Sequence, residues 1–283
     1  MFRLFVENEK GEQLELTNSL AYVVKSIEGI DPPDAVLNLY KVAGVDGTNF
    51  NSATLDNRVI TLTLAVNGPA EENRRNLYRF FQTKKKVRLY FLIDSLEVYI
   101  DGYGQNMPIQ YFAIKEVVQV SIVCNDPYFH LATARVSEYG SGSNALFEFP
   151  FSIPEGGIEF STKQSGNMLT VYNDSNIECG LVVRIKASGS ASNPRFYNGN
   201  TDQFFGLTTS MQNGDEIIID TRPKKKSAVR IRSGVRTNLI SSRMSGSSWV
   251  EVAQGENLFS VSASSGLSNL LFEFEVEGNI QGV

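Results

Sequence analysis

Histidine is the side chain whose ordinary pKa lies nearest neutrality, and this chain has one, His130, within DPYFHLA. A single imidazole supplies neither a metal ligand set nor a catalytic relay, so a structural or solvent-exposed role is expected for it. Cys124 and Cys179 stand far apart with no CxxC spacing, which predicts two buried reduced thiols rather than a disulfide framework or a zinc site. Carboxylates are plentiful, and two of them flanking a sugar bond would make a glycosidase. Glu148, Glu159, Glu273 and Glu275 lie on strand-like segments, where alternation turns charges out to solvent and singles out no catalytic pair. Lys84-Lys85-Lys86 and Lys224-Lys225-Lys226 invite phosphate binding. The first run reads more simply as cations at a helix C-terminus, and the second, after Pro223, as the exposed tip of a hairpin. Gly140-Ser141-Gly142-Ser143 lacks the strand before and the helix after that a phosphate cradle requires. These residues make no catalytic, cofactor-binding or metal-binding set, and the expectation is a protein that is not an enzyme.

Two other groups of residues point to contact rather than chemistry. Aromatic rings stack on sugars, and Tyr197, in PRFYNGNTDQF, and Trp249, opening SWVEVAQGENLFSV, are candidates for an outward sugar or partner surface, with packing in the core or at an edge as the plainer reading. Residues 43–57, AGVDGTNFNSATLDN, form a long polar insertion between two good strands. Long connections in compact domains are usually functional or disordered, which makes Asp46, Gly47, Phe50 and Leu55 the first candidates for an assembly interface.

The elements that must position these residues are mostly strands. FRLFVEN, GEQLELT, AYVVKSIEGI, AVLNLYKV and RVITLTLAVNG come first, and in RVITLTLAV the residues Ile60, Leu62, Leu64 and Val66 share one face. AEENRRNLYRFFQTKKK follows Gly68-Pro69 as the one clear helix, with Leu77, Phe80 and Phe81 on its apolar face and Glu71 and Glu72 near its start. VRLYFLI, LEVYIDGYGQ and IQYFAIKEVVQVSIVC close a first domain over residues 1–131. Residues 132–145 have the Ser/Gly composition of a linker. From LFEFPFSI onward, over 146–283, many short strands separated by turn clusters indicate an antiparallel sandwich of jelly-roll type. A length of 283 residues fits two such domains, and 42% hydrophobic with 20% charged residues fits globular cores. The balance of 26 Lys+Arg against 31 Asp+Glu, a net charge of −5, argues against a nucleic-acid partner. No apolar run approaches the ~20 residues of a membrane span, and the first residues lack the pattern of a secretory signal, so synthesis in the cytosol is expected.

The order of these segments resembles a known family. FRLFVENEKGEQLEL, YVVKSIEGIDPP, the GVDG turn with LDNRVITLTL, one helix and a closing VSIVCNDPYF resemble the N-terminal domain of siphophage distal tail proteins. NPRFYNGNTDQFFGLTTSMQNGDEIIIDTRPKKKSAVRI, an Asn238-Leu239 pair and SWVEVAQGENLFSVSA are similar to the C-terminal sandwich of the same family. The resemblance implies a mainly β protein: an N-terminal tube-protein-like sheet or split barrel with one α-helix, then a sandwich like galectins and carbohydrate-binding modules. It implies a structural virion protein without cofactor, made in the bacterial host cytoplasm and placed at the tail tip as a homohexameric ring. Its partners would be the tail tube protein, a tail-associated hub or lysin protein, and receptor-binding or other baseplate proteins. A tail-tube protein and a carbohydrate-binding sandwich that contacts host wall sugars remain the alternatives. A ring is physically sensible, because closure hides strand edges that would otherwise template further pairing. In that setting the 43–57 insertion, anchored by Phe50 and Leu55, would touch a neighbouring subunit or the adjacent tube or hub.

Overall fold

The computed structural model describes residues 2–110, 116–140, 144–145, 161–162 and 167–283. LFEFPFSI with Glu148, and Glu159, lie outside the described residues, as do 111–115 of IQYFAIKEVVQVSIVC and 141–143 of the Gly/Ser run. The chain divides into two units, Met1–Thr133 together with Asn279–Val283, and Ala134–Gly278. The Ser/Gly composition assigns 132–145 to a linker and everything after it to the sandwich. The structure instead returns the last five residues to the first unit and makes a strand of Arg135–Gly140.

The first unit contains β1 (Phe2–Asn8), β2 (Gln13–Glu15), β3 (Tyr22–Glu28), β4 (Ala35–Tyr40), β5 (Asn49–Leu55), β6 (Arg58–Val66), α1 (Ala70–Phe80), β7 (Lys86–Ile93), β8 (Leu96–Asn106), β9 (Ile109–Gln110), β10 (Glu116–Cys124) and β11 (Phe129–Leu131). Its main sheet is antiparallel in the order β2-β1-β7-β8-β10-β6-β3. Period-two alternation sets the faces. Ile60, Leu62 and Leu64 of β6 stand opposite Ile122, Val120 and Val118 of β10, and all six are buried. Helix α1 covers this face with Leu77 and Phe80, which join the same core, and the following Phe81 does too. Its Glu71 and Glu72 sit in the first turn as the macrodipole favours. Tyr22 ties the helix to β3, its hydroxyl donating to the Asn73 carbonyl at 3.0 Å. The helix ends at Phe80, so the Lys84–86 run is not its cap. Lys84 takes a left-handed φ of 68° in the turn and Lys86 begins β7, with Lys85 and Lys86 paired to Glu9 and Asp101.

The second unit contains β12 (Arg135–Gly140), β13 (Asn144–Ala145), β14 (Ser161–Thr162), β15 (Met168–Asn173), β16 (Cys179–Gly180), β17 (Val182–Ala187), β18 (Ala191–Ser192), β19 (Arg195–Asn198), β20 (Gln203–Gly206) and β21 (Ser210–Met211). It continues with β22 (Glu216–Asp220), β23 (Ser227–Arg232), β24 (Val235–Asn238), β25 (Glu251–Val252), β26 (Gly255–Ser262) and β27 (Leu270–Val276); β28 (Asn279–Ile280) belongs to the first unit. Two antiparallel sheets, β12-β27-β17-β22-β23-β24 and β15-β26-β19-β20, face each other across one core. Phe196, Phe205 and Phe259 from one sheet meet Phe272 and Phe274 from the other, with Phe196 edge-on to Phe274 at 5.6 Å between centroids. Buried Asn173, Asn198 and Asn257 are each satisfied by backbone carbonyls of Val252, Glu251 and Ala253, which pins β25 to the core. The Lys224–226 run caps the exposed β22–β23 hairpin as the sequence suggested.

Candidate assembly surfaces

Residues 43–57 are not one long loop. Asn49–Leu55 is strand β5, paired with β4 and with nothing else in the described sheets, so residues 35–55 form a separate two-stranded arm. The local chemistry explains why the chain leaves the main sheet here. Pro32 and Pro33 have no N–H to continue the β3 ladder and hold the chain extended. Gly29, at φ +82°, lies so close to β6 that a Cβ would sit 2.1 Å from the Val59 oxygen. A bulge between Asn38 and Leu39 leaves Asn51 unopposed and sets Leu39 opposite Phe50.

Pairing in this register sorts the arm into two faces. Ala35, Leu37 and Leu39 of β4 share a face with Leu55, Ala53 and Phe50 of β5, while Val36, Asn38 and Tyr40 share the other with Thr54, Ser52 and Asn49. The first face is wholly apolar and, apart from Leu55, exposed: Leu37 is 54%, Leu39 50% and Phe50 63% accessible. Of the residues expected at an interface, Phe50 lies at the tip end of this face, opposite Leu39, and Leu55 is half-buried at its root. Asp46 and Gly47 lie at the exposed tip, where Gly44 and Gly47 take positive φ. Sequence reading missed Leu37 and Leu39, although their alternation within AVLNLY was the available signal.

The arm is rooted at Arg58, a buried arginine at the start of β6. Its Nε donates to the Pro127 carbonyl at 2.8 Å, one terminal nitrogen donates to the Gly29 and Asp31 carbonyls at 2.6 and 2.7 Å, and the other donates to the Gln281 carbonyl. The guanidinium carbon stacks 4.7 Å from the centroid of Phe129. Burial lowers the pKa of this group, with Cys124 and Asp31 opposing the shift. A groove of about 430 Å³ runs along the root, lined by Asp31, Pro32, Asp34, Asp56, Asn57 and Arg58 among others.

The sandwich separates the two aromatic candidates. Tyr197 points outward from β19, opposite in sense to buried Phe196, and its hydroxyl donates to Asp202 at 2.5 Å. A shallow groove of about 290 Å³ beside it is lined by Arg195, Phe204, Ser260 and Ser262. Trp249 packs against the core instead, 5.2 Å from Phe205, with Arg243 4.9 Å from the centroid of its ring. Tyr197 is thus turned outward on β19, whereas Trp249, in the irregular stretch before β25, is partly buried against the core. Glu273 and Glu275 turn outward, paired with Lys186 and Arg184. His130 sits in the β11–β28 ladder, its Nδ1 2.8 Å from Asn279 Oδ1 and its ring 5.3 Å from that of Tyr99. Cys124 and Cys179 are buried free thiols, each pushed up to about 12 chiefly by burial. Among the described residues no group of three or more His, Cys, Asp or Glu could hold a metal ion.

Comparison with known proteins places both units. The family model described as a phage tail protein RIFT-related domain matches residues 9–123, and that described as a siphovirus-type tail component, C-terminal domain, matches 174–275. The crystal structure of the Dit protein of phage SPP1, titled a paradigm of hub adsorption apparatus in Gram-positive infecting phages, aligns over 98% of this chain and 99% of its own. The alignment has a TM-score of 0.66 at 14% identity. A chain of the phage P2 baseplate in its activated conformation with Ca aligns over 100% of both chains, with a TM-score of 0.55 at 11% identity. The same baseplate with Sr gives a TM-score of 0.53 at 11% identity over 100% of both chains. No curated protein sequence matches the chain.

Proposed function

This chain belongs to the siphovirus distal tail protein family, and from that premise we propose that its copies close into a hexameric ring through the β4–β5 arm. The protein is a Dit-like hub of the phage tail tip and baseplate, a structural component of the virion. The observation that carries the ring is the unpartnered apolar face of Leu37, Leu39, Phe50 and Ala53. An isolated two-stranded hairpin is marginal in water, and a contiguous apolar face on it calls for a cover. A neighbouring copy supplies that cover once per subunit, and ring closure leaves no arm unmatched.

In this reading one side of the ring meets the tail tube protein and the other a tail-associated hub or lysin protein, with receptor-binding or other baseplate proteins attached through the sandwich. The work is mechanical connection, without catalysis or cofactor. The presence of a sandwich unit after the first supports a hub over a tail-tube protein, which needs only the first.

Light scattering over a concentration series, with negative-stain images of the same samples, tests the ring. The expected result is a hexamer with a central opening. The double variant Leu39→Asp, Phe50→Asp is expected to give monomers with the melting behaviour of the parent. Rings formed by this variant at the parent's concentration would remove the arm from the interface.

A further inference from the structure

The arm leaves the main sheet through residues 29–34 and returns through 56–58, and both crossings are gripped by the Asn279–Val283 segment. Three separate observations meet there. Arg58 is the first: a guanidinium offers five N–H donors in a planar fork, and this one joins the carbonyls of Gly29 and Asp31 in the arm's root to the carbonyl of Gln281. Second, the Val283 N–H donates to the Ile30 carbonyl at 3.0 Å. The third is Gly282, packed so closely that a Cβ would lie 2.7 Å from Pro32 Cδ and 2.8 Å from its nitrogen. The segment is itself held by β28, which pairs Ile280 with Phe129 and Asn279 with His130.

We propose that residues 279–283 act as a clasp that sets the direction of the β4–β5 arm, with Arg58 as the positioning residue that couples the two. A buried cation keeps its place only while its donors are matched. Removing the Gln281 carbonyl therefore unbalances the same ion that holds Gly29 and Asp31, and the root loosens with the clasp. The consequence for assembly rests on the arm being the ring contact; the coupling itself does not.

Hydrogen exchange read by mass spectrometry on the full chain tests the clasp, using deletion of 279–283, Gly282→Val and Arg58→Lys. Non-proline amides over 29–36 and 54–59 are expected to exchange at least about tenfold faster in all three variants, because an ammonium cannot span the acceptors of a guanidinium fork. Amides of the β6–β10 ladder and of the sandwich are expected to keep parental rates. Parental rates at the root in Gly282→Val and in the deletion would overturn the proposal. If the deletion also exposes the β6–β10 ladder, Gly282→Val decides, and parental root exchange in that variant overturns the clasp. A loosened root with unchanged ring formation would uphold the clasp and overturn the arm as the ring contact.

Discussion

At the residue scale, Asp215 shows how much one side chain in a turn can carry. It reads in the sequence as part of a polar QNGDE turn, yet its side chain is 1% accessible. Arg232 binds it through two nitrogens, at 2.7 and 2.5 Å, and the Gln212 N–H donates to it at 2.9 Å. Its backbone carbonyl accepts from Ala187, so the turn is joined to β17. The hydrogen bonds from Arg232 are the largest cause of a carboxyl pKa below the ordinary value, with burial opposing. Because the folded pKa is the lower one, the stabilisation is fully present above the ordinary value of about 3.9 and is lost as pH falls through the folded value. Asp215→Ala is expected to cost the sandwich about 1–3 kcal/mol at neutral pH, since the buried acceptor of the Gln212 N–H in this turn is lost. Urea unfolding at pH 7 and at pH 3 checks this, and the gap between parent and variant should shrink in acid. The burial of Asp215 depends on β23 bringing Arg232 across from seventeen positions away, which no local pattern discloses.

The arm is where local pattern and structure part at the scale of elements. NFNSATL has no apolar alternation and reads as loop, and it is a strand because AVLNLY lies antiparallel to it. Arg135–Gly140 is the same case: its Ser/Gly neighbourhood reads as linker, and pairing with β27 makes it an edge strand. Helix α1, by contrast, was legible from the spacing of Leu77, Phe80 and Phe81, although its end at Phe80 was not. Two strands with no third partner have little stability of their own. Amides of 35–55 in dilute, unassembled protein are thus expected to exchange much faster than those of β6 and β10, and to slow on assembly. Exchange over 35–55 that is the same in monomer and assembly would count against burial of the arm.

For the whole molecule, each unit has its own closed core, one gathered around Leu62, Leu64 and Val120 and the other around Phe196, Phe259 and Phe274. Two cores of this kind predict two separable unfolding transitions in calorimetry. Leu64→Ala is expected to cost about 2–5 kcal/mol and to lower one transition, while Phe274→Ala, at about 3–5 kcal/mol, lowers the other. If both substitutions shift a single transition together, the units unfold as one. The chain makes two passages between units, and its return at Gly278 to the β11–β28 ladder was invisible in sequence. Five residues carry too little periodicity to announce a partner strand about 150 positions earlier.

The amino-acid sequence by itself determined the alternation that buries Ile60, Leu62 and Leu64, the helix at Ala70, the predominance of strands, and the order of segments that marks the family. These are properties of neighbours along the chain, where residue type and a period of two or 3.6 are enough. Only the tertiary structure decided that the 43–57 insertion is half of an arm, that Tyr197 is turned outward while Trp249 packs on the core, and that Arg58 finds acceptors at Gly29, Pro127 and Gln281. Such contacts depend on register and on which distant strands meet. A shift of one residue turns every side chain to the other face, and a buried cation takes whichever carbonyls the folded topology brings to it.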